Sequence, residues 1–398
     1  MPQSRLKNIL LSSIILLLFA AGCSKVEYAK IDDPAYLRVF NNLNYTIGLE
    51  NKDEAVPFLT MLIDPEMDKD GIPVKAAIKG DFLDQREPYA PPYPSHIGTG
   101  ISFKNVEYPG KENVLAGPIL NGFDLSSWAQ IPSGKHRIVF MFRPVNSVPF
   151  FELDTKLKHS VLIDTTMVLD AKEVYTLHVL QKNFVTRKNG IYLRKENFHK
   201  LSLSDSLVYV NFYNMSAKGF LEASKDQKTS YKKSGALYGG IKDEMNIFYS
   251  LYTSEKTMRG PVYGYQNRLL GKLTRNSEVL EVSPYYNFPL FADGKSNGIF
   301  TNIWQRLDLM APGMDPANNP YESFQLETNG NWAPVNLMTD GKSQLIGNDN
   351  AAQLPNMIVN IHSGVYNPRS FSTVNTIEIV NGNVYLTTVQ RKYAPPIY

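Results

Sequence analysis

Chemistry in this chain starts from one thiol. Cys23 is the single cysteine among 398 residues, and it follows the small residues Ala20-Ala21-Gly22 at the end of an apolar run from Ile9 to Phe19. Arg5 and Lys7 make the segment before that run basic. The run is about half the roughly 20 apolar residues that a helix needs to cross a bilayer. The pattern therefore reads as a secretory signal, removed before the body folds. Ordinary cleavage after Gly22 would leave a free thiol on the first mature residue. Lipoprotein processing instead requires small residues just before the cysteine, because that thiol is the nucleophile that takes the diacylglycerol. The expectation is lipid attachment at Cys23, with a signal peptide over 1–22 and a lipidated tether over 23–33. Stable anchoring takes more than one acyl chain, which a mature lipoprotein cysteine supplies.

Other reactive constellations fail on spacing. The six histidines (His96, His136, His159, His178, His199, His362) form no HxxxH or HExxH pair, so no zinc site is expected. Glu66-x-Asp68-x-Asp70-Gly71 has the alternating carboxylates of a calcium loop, but it begins with Glu and holds Ala77 where a bidentate Glu belongs. A carboxylate-rich hairpin turn is the simpler reading. Asp293-Gly-Lys-Ser296 and Asp340-Gly-Lys-Ser343 place Pro289 and Asn336 where a phosphate-binding loop needs glycine, so both are read as turns. No GxSxG elbow occurs, and nothing singles out a pair of catalytic carboxylates. The expectation is a protein that is not an enzyme, with no metal and no cofactor.

Binding residues are the remaining candidates. Pro88-Tyr-Ala-Pro-Pro-Tyr-Pro-Ser95, echoed by Tyr393-Ala-Pro-Pro-Ile-Tyr398, is dense enough in proline to be extended and without internal hydrogen bonds. Tyr89 and Tyr93 would be displayed on such a rod, and the alternative is a stiff loop packed on its own domain. Trp128, Trp304 and Trp332 could stack on a sugar ring. Trp128, just before Ile131-Pro-Ser-Gly134, also fits a core anchor, and Trp332, in the turn-rich Asn329-Gly-Asn-Trp-Ala-Pro334, fits exposure better. The net charge of +3 is dispersed, and the densest basic run, Lys225 to Lys233, reads as a solvated loop, so nucleic acid is not an expected partner.

The elements that must position these residues read as strands. Tyr and Phe are abundant, at 23 and 20 residues, which favours β structure. Ile138, Phe140 and Phe142 alternate within Arg137 to Arg143, and Val208, Val210 and Phe212 alternate against Tyr209, Asn211 and Tyr213, the period of a half-buried strand. Asn246 to Tyr252, Gly298 to Leu307 and Met357 to His362 are further strand candidates. Asp70-Gly71, Ser133-Gly134, Asn189-Gly190, Asp293-Gly294, Asp340-Gly341 and Asn381-Gly382 supply turns between them. The best helix or turn candidate is Gln266 to Leu273. No later stretch is long and apolar enough to span a membrane as a helix.

An internal repeat is visible. Ala35 to Asn42 and Leu207 to Asn214 both read as an opening strand that runs into an Asn-containing turn. Thr166 to Thr176 and Thr376 to Leu386 both read as a closing hairpin with a Val-Tyr strand. Two copies of one β-unit follow, over 34–203 and 204–398, with a boundary near Lys200 to Asp205.

Three pieces of the first copy, Tyr36 to Asn42, Trp128 to Ile138 and Leu162 to Thr176, together resemble the exported domain of unknown function 4397. Its pattern is an "lPaGxyxv" strand pair followed by an "LxaGxxYT" strand pair. Here His136 stands for the usual Tyr, Lys172 for the usual Gly, and an insertion over roughly Asp64 to Ala116 interrupts the unit. The resemblance implies an immunoglobulin-like β-sandwich, often in tandem on Bacteroidetes lipoproteins, and implies no site residues. The expected fold class is thus all-β, two tandem sandwiches after a cleaved lipoprotein signal peptide. The segment before Cys23 resembles a bacterial lipobox, with Ala20 where Leu is commonest. Ser24 in place of Asp predicts the outer membrane, the cell surface being favoured over the periplasmic face. The expected role is a binding or accessory subunit of a cell-envelope assembly. The alternatives are a surface glycan-binding lipoprotein of a polysaccharide-uptake system and, less favoured, a lipoprotein hydrolase or a fimbrial subunit.

Overall fold

The computed structural model describes residues 30–45, 48–86, 107–110, 112–204, 207–223, 243–253, 263–289, 303–310, 312–313, 332–337, 352–353, 373–381 and 383–390. The expected signal segment and Cys23, Tyr89 and Tyr93, Lys225 to Lys233, both Asp-Gly-Lys-Ser stretches, Met357 to His362 and Tyr393 to Tyr398 lie outside these residues. The chain divides into a unit Met1–Asp32 and a unit Asp33–Tyr398, and the second holds the β structure.

The fold is all-β. The first repeat carries β1 (Ala35–Asn41), β2 (Leu59–Met67), β3 (Pro73–Leu83), β4 (Ile119–Leu120), β5 (Phe123–Asp124), β6 (Ala129–Ile131), β7 (Gly134–Phe142), β8 (Val161–Leu169), β9 (Val174–Asn183) and β10 (Lys188–Glu196). The second carries β11 (Leu207–Asn214), β12 (Glu244–Thr253), β13 (Arg268–Thr274), β14 (Tyr286–Pro289), β15 (Ile303–Met310), β16 (Trp332–Leu337), β17 (Ala352–Gln353), β18 (Thr373–Val380) and β19 (Asn383–Gln390). Among the described residues the helical elements are short 3-10 turns, and Gln266 to Leu273, expected as a helix or turn, runs mostly in strand β13. Antiparallel pairing with β12, from Glu244 opposite Thr274 to Tyr249 opposite Arg268, makes this stretch a strand.

The same sheets recur in both repeats. One sheet orders its strands β10-β9-β1-β6 and its counterpart β19-β18-β11-β14. The other pair reads β3-β2-β7-β8 and β13-β12-β15-β16-β17. In each repeat the opening strand runs parallel to the first strand of the last hairpin, β1 to β9 and β11 to β18. The opening turns match atom for atom: Leu43 N donates to Asn41 Oδ1 at 3.1 Å, and Ser216 N to Asn214 Oδ1 at 3.2 Å. Asn41 therefore corresponds to Asn214 and Tyr36 to Tyr209, one residue away from the register suggested by sequence.

The closing hairpins do not correspond. Thr376 to Leu386 is a true hairpin, β18 to β19, but Thr166 to Thr176 crosses from the β3-β2-β7-β8 sheet to the other sheet. The crossing turn holds Lys172 at φ +64°, a left-handed geometry that glycine adopts without strain. The β9–β10 turn is reached through Arg187 at φ +56°, and Asn189-Gly190, expected as that turn, lies inside β10. The supposed insertion also contributes to the core, because β2 pairs with both β3 and β7.

The first sandwich closes around Leu37, Val39, Leu177 and Val179 from one sheet and Leu59, Met61, Ile138 and Phe140 from the other. Each such side chain contributes about 1.5–3 kcal/mol when fully buried. Strand β1 is nevertheless buried along both faces, as is most of β9. Its second face, Tyr36, Arg38 and Phe40, meets the second repeat. Tyr36, Trp128 and Val174 pack with Tyr209, Val374 and Val389, while Leu180 and Tyr192 pack with Tyr213, Val380 and Tyr385. Equivalent residues (Tyr36 and Tyr209, Val174 and Val374, Leu180 and Val380) share a cluster, as in an isologous dimer interface fused into one chain. The first cluster lies where β1 and β11 begin and the second where they end, so the two repeats point the same way.

Candidate functional site

Between those two apolar clusters the seam is ionic. Period-2 alternation sends Arg38 of β1, His178 of β9, Arg194 and Glu196 of β10 and Glu378 of β18 to the same interface. Arg86, just after β3, joins them; its backbone N–H donates to Asn41 O at 2.8 Å. Glu378 Oε1 accepts from Arg194 Nη2 at 2.7 Å, and Glu378 Oε2 accepts from Arg86 Nη1. Arg194 Nε donates to Glu196 Oε1 at 2.9 Å. Aromatic faces cover the guanidinium groups: Arg38 lies 4.0 Å from the Trp128 ring, Arg86 4.0 Å from Phe40, and Arg194 4.3 Å from Tyr213. Such contacts strengthen as water is removed.

Charges balance within this layer. Arg38, Arg86 and Arg194 face Glu107, Glu196 and Glu378, all of them buried. Burial alone would push the Glu378 carboxyl up, but His178, Arg86 and Arg194 outweigh it and hold it well below the usual carboxylate range. Burial depresses Arg194, yet Glu196 and Glu378 raise it well above its ordinary value. Burial lowers Arg38 to about 10, which leaves it charged at neutral pH. His178 is lowered to about 4, chiefly by burial, with Arg194 and Arg86 acting in the same direction against Glu378. The ring is therefore neutral at pH 7. Its Nδ1 lies 3.1 Å from Asn42 Oδ1, and its Nε2 lies 3.3 Å from Glu378 Oε1, off the alignment of a hydrogen bond.

The outer sheet of the first repeat carries a second buried pair. Asp81 receives Arg143 and Thr60 Oγ1 (2.7 Å) on one oxygen and the Phe150 N–H (2.8 Å) on the other. Both charged side chains are fully buried, so the pair pins the 143–150 loop to β2 and β3. Neither cluster pairs a nucleophile with a free base. Their carboxylates are engaged by guanidinium groups, and the chemistry this permits is cohesion between elements.

The expected binding residues fall elsewhere. Trp128 is 1% exposed and packs on Phe198 at 6.0 Å between ring centroids, so it belongs to the seam core and is withdrawn as a ligand contact. Trp304 stands in β15 opposite Tyr252, and Trp332 in β16 opposite Met310, on one sheet. Asp68 Oδ1 accepts from the Asp70 and Ile72 N–H groups at 2.9 and 2.8 Å, which makes Glu66 to Gly71 the tip of the β2–β3 hairpin. His136, where the resembling pattern has Tyr, places Nδ1 2.6 Å from Asp64 Oδ2 and Nε2 2.8 Å from Pro132 O, and so clips β7 to β2. Among the described residues no three His, Cys, Asp or Glu side chains gather to hold a metal.

No family model matches the chain, and no curated protein matches it. Three solved structures align over most of its length. Each is described as a "putative cell adhesion protein". The one from Bacteroides ovatus ATCC 8483 has 8% identity, covers 91% of this chain and 99% of its own, and has a TM-score of 0.17. That from Bacteroides uniformis ATCC 8492 has 10% identity, coverage of 92% and 100%, and a TM-score of 0.15. That from Parabacteroides distasonis ATCC 8503 has 9% identity, coverage of 92% and 99%, and a TM-score of 0.16. Likenesses at these scores carry no argument about function.

Proposed function

We propose that this chain is a non-catalytic lipoprotein of the outer membrane, acylated at Cys23, that presents loops to a partner in a cell-envelope assembly. The observation that carries this reading is directional. The chain enters β1 at one end of the two repeats, and β1 and β11 both run away from that end. The loop stretches 42–45, 48–58, 143–160 and 184–187 gather at the opposite end, joined by Arg143 N to Phe58 O at 3.0 Å and by Arg187 to Glu54 at 3.8 Å. Tethering through Cys23 would raise the effective concentration of these loops for membrane neighbours.

Among the described residues, the exposed large apolar side chains of these loops are aliphatic: Leu49, Val56, Val145, Val148 and Val185. Sugars stack on aromatic faces, so this surface supports a protein partner over a glycan. Mass spectrometry of the mature N-terminal peptide tests the anchor, with a diacylglycerol thioether on Cys23 expected and Cys23→Ser shifting the protein to the soluble fraction. An unmodified Cys23 on freely released protein would end the reading. Retardation in polysaccharide affinity gels that Trp332→Ala abolishes would replace the protein partner with a glycan.

A further inference from the structure

We infer that the seam between the two repeats is an acid-sensitive joint, which opens on proton uptake while each sandwich stays folded. The charged groups Arg38, Arg86, Arg194, Glu196 and Glu378, with His178, sit at the seam and outside the apolar core cluster of the first sandwich. His178 faces Phe40 at 5.7 Å and Asn42 from the β1 side, Tyr192 at 6.1 Å and Arg194 from β10, Glu378 from β18, and Arg86 beyond β3. The first sandwich core, by contrast, is built of aliphatic, Met, Phe and Tyr side chains, among them Ala217 and Phe220 from the segment after β11, which stays with the first sandwich as the seam opens. Asp81 and Arg143 lie on the outer sheet, away from the joint. Glu378 is the fully buried carboxylate that the second repeat brings, among the described residues, to a face holding three arginines.

The sign follows from linkage. Burial holds His178 at about 4 when the seam is closed, and opening returns it toward 6.5. Between those values the open form takes up a proton that the closed form refuses, so acid favours opening. Proton uptake at His178 alone raises the opening equilibrium about tenfold from pH 7.5 to about pH 5.5, and its own contribution levels off below about pH 4. His199, on the segment joining the repeats, is lowered by burial and then by Lys200, and acts in the same direction. Glu378 is held low when closed and regains its ordinary value when open, so it adds to opening only as pH falls below about 4.5.

Thr376 faces the seam between Val374 and Glu378 and is buried. In a Cys23→Ser background, Thr376→Cys places a lone thiol there, so the result does not depend on acylation. Labelling with a dipyridyl disulfide that reacts in acid is measured against an exposed-cysteine control at each pH. Protection should fall at least about tenfold between pH 7.5 and 5.5, with circular dichroism unchanged. Glu378→Gln should lower protection already at pH 7.5, and the His178→Gln, His199→Gln double variant should remove the pH dependence. Protection that does not change with pH, or labelling that only tracks loss of the circular dichroism signal, overturns the joint. So does an unaltered pH dependence in the double variant.

Discussion

Glu378→Gln keeps the shape of the side chain and deletes one charge from the seam. Arg86 then loses its carboxylate, while Arg194 retains Glu196. Both guanidinium groups are buried, so water cannot take over. Removing one partner of a buried pair costs about 3–5 kcal/mol, a large share of the roughly 5–15 kcal/mol that holds a domain folded. Urea titrations at pH 7.5 should show that loss as a lower midpoint with an unchanged slope. The comparison is Asp164→Asn, which breaks the Arg137–Asp164 pair at 2.7 Å, where both side chains are more than 40% exposed. That change should cost less than about 1 kcal/mol. Replacing Glu378 and Arg86 together by leucine should recover part of the loss, since an apolar substitute carries no desolvation cost. A Glu378→Gln loss no larger than that of Asp164→Asn would refute the argument, because it would mean the seam charges are hydrated.

Three further outcomes can be checked. Trp128→Ala should lower stability by about 3–5 kcal/mol, the cost of emptying a buried aromatic site, seen as a lower melting temperature. Lys172→Gly should leave the melting temperature unchanged or raise it slightly, because relief of left-handed strain, about 1–2 kcal/mol, offsets the added chain entropy, about 0.5–1 kcal/mol, and the loss of an exposed pair with Asp33. Asp81→Ala should release the 143–150 loop, so limited proteolysis would cut near Val145 to Val148 faster than in the unaltered protein. Equal cutting rates would show that Asp81 does not hold the loop.

Alternation made the strands legible but could not say what their second faces meet. Ile138 and Phe140 point into the sandwich as expected, yet Val139 and Met141 on the opposite face are also buried, beneath Phe150 and Leu153 of the 143–160 loop. Tyr209, Asn211 and Tyr213 looked like a solvated face because tyrosine and asparagine tolerate water. They face the other repeat instead. A usable signal was present in Arg38 and Glu378, single opposite charges in the middle of apolar strands, one in each repeat. Alone it is ambiguous, because charge in a strand ordinarily means exposure. The repeat itself was visible through its opening strand, whose Asn-terminated turn is a local device. Its closing half was mismatched, because Val-Tyr pairs recur in strands that belong to different sheets.

Parallel pairing of β1 with β9 has a mechanical consequence. Six consecutive residues, Tyr36 to Asn41, are in register with Val174 to Val179. Tension applied between residue 33 and the far-end loops would run along these strands, so their cross-links would be loaded together in shear rather than peeled apart one at a time. The same holds for β11 against β18. A body built this way would yield abruptly at a high force, a property that optical-tweezer pulling from the two ends of the β1 axis would read directly.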